Sequence, residues 1–356
     1  MDRVYELPLS RDYVRHWGLL EAIREIMQNA LDSKDPIEWS IEGHTLTVTS
    51  RTTVLPSSTL VLGQTSKADD VSKIGSFGEG FKLALLVLAR LNYDVKLYNG
   101  DLLWTPAFGR SDTFECEVLQ INESLLAHGE ARGLSFVIDG LNHEDTTQIH
   151  DMCLFMQATS DDVIVTKFGD ILPSKPGFLY VGGLLVCETQ LSYGYNVLPQ
   201  YLELERDRQT VDDWDLRRVT KDMWLNTEQW ERVAELMDQD IEDVKYIEYD
   251  CPQLVKEACY KRFKQNNPGK VAVRSQAEME KYVEKGMTKT VHVGGSYYTA
   301  VTGHAAYKTE NAKVLKVQTP LEILTEWFRT NQAQMRLPVR IAYKQLLKAA
   351  EKWAIK

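Results

Sequence analysis

Three glycines stand at the mouth of a helix. Residues 74–82 read IGSFGEGFK and run straight into the apolar stretch LALLVLARL. Glycine costs roughly 1 kcal/mol against alanine in helical positions, so Gly75, Gly78 and Gly80 imply a backbone that something approaches closely. An anion is one such partner, received by main-chain N–H groups and the partial positive charge of a helix end. Lys82 then adds a full charge in the first turn. A tightly packed piece of the protein itself is the other. Spacing rules out two phosphate loops. A Walker A loop needs Gly-Lys-hydroxyl, but Phe81 separates Gly80 from Lys82 and Leu83 follows. A dinucleotide G-x-G-x-x-G starting at Gly78 meets Leu83 at its third glycine.

Upstream, Tyr13–Ser33 has helical periodicity. Leu19, Leu20, Ile23, Ile26, Met27, Ala30 and Leu31 form a broad apolar face, and Pro36 lies just past the end. Glu25, Asn29 and Asp32 follow one another at i, i+4 and i+7 and fall within about 60° on the opposite side. An ordinary solvated face explains them. So does chemistry: a carboxylate one turn from a carboxamide can polarise water while the amide oxygen binds Mg²⁺, with Asp32 orienting either.

The rest of the chain alternates strand-like and helical stretches. Residues 38–50 read as a β-hairpin around Gly43, and 62–75 as a polar loop. Strands are expected within 94–109, 113–121 and 133–141, and a helix at Glu144–Met156. Near residue 160 the chain turns strand-rich with Pro and Gly turns, and from about 212 it turns helical, closing on helices within 319–335 and 338–353. The expected domains are therefore 1–160, 161–220 and 221–356.

Composition narrows the class. With 356 residues and 44% hydrophobic content the chain can bury a substantial core. A net charge of −10 argues against broad contact with phosphate backbones, leaving residues 261–274 as the one basic candidate patch. Five cysteines without a C-x-x-C pair suggest reduced thiols. His143 and His150 bracket a polar helix start more readily than a metal site. No apolar run is long enough to span a bilayer and the amino terminus lacks a signal-peptide layout, so a cytoplasmic protein without membrane attachment is expected.

Taken in order, an E-x-x-x-N-x-x-D helix, a Thr-Ser-Lys loop and a G-x-x-G-x-G-x-K helix start resemble the GHKL ATPases: gyrase B subunits, MutL mismatch-repair proteins, ninety-kilodalton heat-shock chaperones and histidine kinases. The resemblance covers residues 13–140. It implies an α+β fold, the Bergerat two-layer sandwich of a mixed sheet covered by helices, followed by a smaller α/β domain and a helical carboxy-terminal region. It implies ATP and Mg²⁺ as ligands. Glu25 matches the general base, Asn29 the Mg²⁺ ligand and Asp32 the aspartate that shapes the pocket. Thr65, Ser66 and Lys67 match the lid, and Gly75, Gly78, Glu79, Gly80, Phe81 and Lys82 the phosphate loop. Glu25 favours hydrolysis over kinase activity, since histidine kinases usually lack that carboxylate.

One departure concerns the base. Where the family has D-x-G-x-G, this chain has SRTTVLP, with Ser50 or Thr49 at the aspartate position, so adenine preference is open. Ser135 matches a hydroxyl on a later strand. Arg206, Arg208 and Lys167 are candidates for the γ-phosphate contact that the family's second domain supplies. The resemblance implies an ATPase that closes its lid, homodimerises with nucleotide bound and works on a protein partner. A non-hydrolysing nucleotide-gated module and a scaffold with a degenerate pocket are the alternatives. The layout also resembles compact GHKL-type proteins of phages and bacteria, which extends the expected location to a host cytoplasm.

Overall fold

The computed structural model describes residues 3–33, 36–61, 79–126, 132–204, 211–284, 289–311 and 320–354. The chain divides into two compact units, residues 1–229 with 241–246, and residues 230–240 with 247–356. The first contains a seven-stranded sheet built from β1 (Arg3–Ser10), β2 (Glu38–Glu42), β3 (Thr45–Ser50), β4 (Asp94–Gly100), β5 (Leu102–Arg110), β6 (Glu117–Leu125) and β7 (Arg132–Asp139). Their order is β1-β6-β5-β4-β7-β3-β2, and every neighbouring pair is antiparallel. The expected mixed sheet is thus corrected to an antiparallel one. Tight links account for the consecutive pairs β2–β3 and β4–β5, because antiparallel neighbours can be joined by short turns and parallel ones cannot. Gly43 (φ +62°) turns β2 into β3 and Gly100 (φ +60°) turns β4 into β5, left-handed conformations that glycine adopts without strain.

Helices α1 (Leu19–Leu31), α2 (Gly80–Arg90) and α3 (His143–Met152) cover one face of this sheet. Leu46, Val48, Val95, Leu97, Trp104, Ile121, Phe136 and Ile138 alternate inward from the strands and share one core with Ile23, Ile26 and Met27 of α1 and Ala84–Leu88 of α2. Helix α1 starts at Leu19 rather than Tyr13. Gly18 caps it, and the Glu21 carboxylate accepts the Gly18 N–H at 2.8 Å. The segment before it is held open by Arg90 at the end of α2, whose guanidinium donates to the carbonyls of Arg11 (3.3 Å), Tyr13 (3.0 Å), Val14 (3.3 Å) and Trp17 (2.7 Å). Arg90→Ala is therefore expected to lower unfolding free energy by about 2 kcal/mol, read from denaturant midpoints, because charged hydrogen bonds to main chain are lost together.

A second sheet lies in the same unit, so the expected division at 160 separates two sheets within one compact body. It comprises β8 (Ile164–Thr166), β9 (Gly169–Leu172), β10 (Phe178–Val181), β11 (Leu184–Glu188) and β12 (Gly194–Val197). Their order is β11-β10-β12-β9-β8, with β10 and β12 parallel. Helix α4 (Asp213–Asn226) packs on β9. The return of residues 241–246 to this unit is anchored by Asp243, 1% exposed, which accepts the N–H groups of Ser192 (2.9 Å) and Tyr193 (3.0 Å) and the Tyr195 hydroxyl (2.7 Å). Replacing Asp243 with Ala would strand the buried Tyr195 hydroxyl and take the acceptor from two partly buried main-chain N–H groups, and a loss of about 3 kcal/mol in chemical denaturation is expected.

The second unit begins at residue 230 rather than 221. It is mainly helical, with α5 (Trp230–Asp238), α6 (Gln253–Asn266), α7 (Gln276–Glu284), α8 (Gly295–Gly303) and α9 (Ala305–Glu310) around a parallel pair, β13 (Val271–Val273) and β14 (Thr290–His292). Helices α10 (Pro320–Asn331) and α11 (Leu337–Ala354) follow, with Phe328 stacked on Tyr343 at 5.1 Å.

Candidate functional site

Helix α1 turns the carboxylate of Glu25 onto the first residue of α2. A methyl group on Gly80 would meet Glu25 Oε2 at 1.8 Å and Cδ at 2.9 Å. Gly80 has no left-handed φ, so it is the room beside its Cα that requires glycine. Of the two partners the sequence left open, close packing is what Gly80 has, and the packed group is the carboxylate. Glu25 is 5% exposed and Asp32 8% exposed. The solvated-face explanation therefore fails for both.

Around this contact the polar side of α1 is ordered. Asn29, half-buried, donates its amide nitrogen to the Glu25 carbonyl at 2.7 Å. Its amide oxygen is a hard-cation donor by type. Asp32 ends the helix, its N–H returning to the carbonyls of Gln28 and Ala30. Ser50 follows on the inward face of β3, 4% exposed, with its hydroxyl 3.4 Å from that of Ser33. Helix end and strand end thus bring Asp32, Ser33 and Ser50 to one side of the unit, and Ser33 is a residue that sequence reasoning missed.

Two expected site residues lie elsewhere. Ser135 pairs in register with Thr49, and their hydroxyls are 2.8 Å apart. Strand alternation puts both on the sheet face opposite Ser50, whose own cross-strand neighbour is Leu134 of the core. Ser135 therefore does not share a wall with Ser50. Lys82 is fully buried, and its ammonium donates to the carbonyls of Thr59 (2.8 Å) and Val61 (2.7 Å). Burial lowers its pKa. In this structure Lys82 clasps the main chain leaving β3 and is not turned to an anion. Asn99 completes the clasp, bonding both the N–H (2.7 Å) and the carbonyl (2.8 Å) of Leu55. An asparagine at an inward position of β4 was the only sequence signal for it.

Glu79 caps α2, and Lys82 and Leu83 return their N–H groups to its carbonyl. The amides of Gly80 and Phe81 open the helix, where N–H groups have no acceptor within the helix itself. The Phe81 ring joins the core. Thr65, Ser66, Lys67, Gly75, Gly78, Arg206 and Arg208 lie outside the described residues. The Lys167 ammonium lies over the Phe168 ring at 4.8 Å.

Among the described residues no group of three or more His, Cys, Asp or Glu side chains could hold a metal by itself, and no helix is long and apolar enough to cross a membrane. In the basic stretch 261–274, Arg262 pairs with Asp238 and Lys264 with Glu310. No protein-family model matches the chain. No curated protein matches it either.

Proposed function

We propose that the first unit is a Bergerat-type nucleotide-binding domain that takes a Mg²⁺-bound nucleoside triphosphate between α1 and the amino end of α2 and hydrolyses it. The contact between the Glu25 carboxylate and Gly80 carries the reading, because it joins the candidate base to the mouth of the candidate anion site. The donor set fits the ligand: oxygen donors on α1 beside helix-opening amides on α2. Asn29 would share Mg²⁺ with the phosphates, and the ion would neutralise their charge. Glu25 accepts the proton of the attacking water. The amides of Gly80 and Phe81 donate to oxygen charge that develops in the transition state.

Ser50 and Ser33 supply the base end. Hydroxyls both donate and accept, so they suit an amino or an oxo group. ATP and GTP are accordingly expected to be hydrolysed with efficiencies within about tenfold of each other, measured as Mg²⁺-dependent phosphate release. Nucleotide-dependent homodimerisation and work on a protein partner belong to the same reading. Absence of phosphate release with either nucleotide rejects hydrolysis. Nucleotide-dependent assembly without release would instead support the gated-module alternative.

A further inference from the structure

A cavity of about 620 Å³ opens in the second sheet of the first unit, lined by the loop after α3 and by β9, β12 and the turns beside them. That volume falls in the range of small-molecule sites. Leu154, Phe155, Val163 and Leu172 give it apolar walls, while Asp170 and Lys175 bring one negative and one positive charge to it. Asp170 is held in place by a relay: Asn196 donates to its carboxylate at 3.1 Å, and Asn196 in turn accepts the Gly183 N–H at 2.8 Å. Gly183 lies close to the wall as well, since a Cβ there would stand 3.3 Å from Phe155 Cδ1. Among the described residues neither Asp170 nor Lys175 joins an ion pair, although both line the same cavity.

A negative and a positive side chain that line one hollow without forming an ion pair, among apolar walls and the polar Gln157, Thr159, Ser160 and Ser174, are complementary to a molecule that carries both charges. We propose that this cavity binds a small dipolar ligand, an apolar amino acid or short peptide, with its ammonium on Asp170 and its carboxylate on Lys175. One cation beside one anion does not suit a polyphosphate, which calls for a cationic cluster. A single carboxylate does not suit a metal. The site is separate from the residues assigned to nucleotide, and the inference does not depend on that assignment.

The test uses the full chain and the dipeptide Leu-Phe, followed by calorimetry and by amide chemical shifts. Saturable binding is expected, with shifts in residues 154–163, 170–175, 183 and 196. Acetylating the amino end or amidating the carboxyl end should each weaken it about tenfold or more. Asp170→Asn, which keeps the contact with Asn196 and so the fold, should erase the penalty for acetylation. Lys175→Met should erase the penalty for amidation. No saturable binding of Leu-Phe, or of free leucine and phenylalanine, overturns the proposal. So does equal binding of the doubly capped peptide, or wild-type discrimination in both variants.

Discussion

Alanine at position 25 is expected to lower Mg²⁺-dependent phosphate release by about a hundredfold or more while ATP affinity stays within a few-fold of wild type. The split between the two readouts follows from what the carboxylate does in the proposed site. It serves water rather than phosphate, so its loss removes the proton acceptor and leaves helix-end amides and Asn29 to hold the ligand. Glu25→Gln sharpens the result. The amide has the same shape beside Gly80, 80 being the position whose Cα the carboxylate covers, but it cannot accept the proton. It should be as inactive as alanine and closer to wild type in stability. Full turnover in the glutamine variant would sink the assignment of Glu25 as base, whatever its position. Loss of nucleotide binding in both variants would make Glu25 part of the binding wall instead.

Each half of the contact between Glu25 and Gly80 is a one-dimensional signal, whereas their meeting was implied only by the resemblance. Helical period sets Glu25, Asn29 and Asp32 on one side, and a glycine at a helix start announces a close approach. Strands β2 to β5 and β7 were legible through alternation and the glycine turns at 43 and 100, whereas β6 runs over Glu117–Leu125 rather than 113–121. What escaped was decided by contacts distant in sequence. The strand β1 contains Pro8, which argues against a strand, yet it sits at the sheet edge where its register with β6 shifts between Leu7 and Ser10. The start of α1 depends on Arg90, far along the chain, taking the carbonyls ahead of it. Ser135 illustrates how narrow the margin is, because in a strand one residue decides the face. Lys82 could reach either an anion or the carbonyls of Thr59 and Val61, and only the folded path of residues 55–61 selects the latter. Asp243 anchors a segment that returns to the first unit after a helix of the second, and no local pattern encodes that return.

Alanine at position 80 separates two effects that ordinarily run together. On its own, Gly→Ala at the start of a helix gains up to about 1 kcal/mol from lower backbone entropy in the unfolded chain. Here the new methyl would stand 1.8 Å from Glu25 Oε2, so the carboxylate must swing away. The far end of a glutamate can move, and the chain is expected to stay folded with the propensity gain cancelled by the displaced, still buried carboxylate. Phosphate release should then fall about as far as in Glu25→Ala. In the Glu25→Ala background the obstacle is gone, and Gly80→Ala should recover its gain without further loss of activity. A double-mutant cycle in denaturant midpoints should therefore report a coupling of about 1 kcal/mol or more between positions 25 and 80. Additive stabilities would mean that the two residues do not touch in solution, and the base would then lack the helix mouth that the proposed chemistry requires.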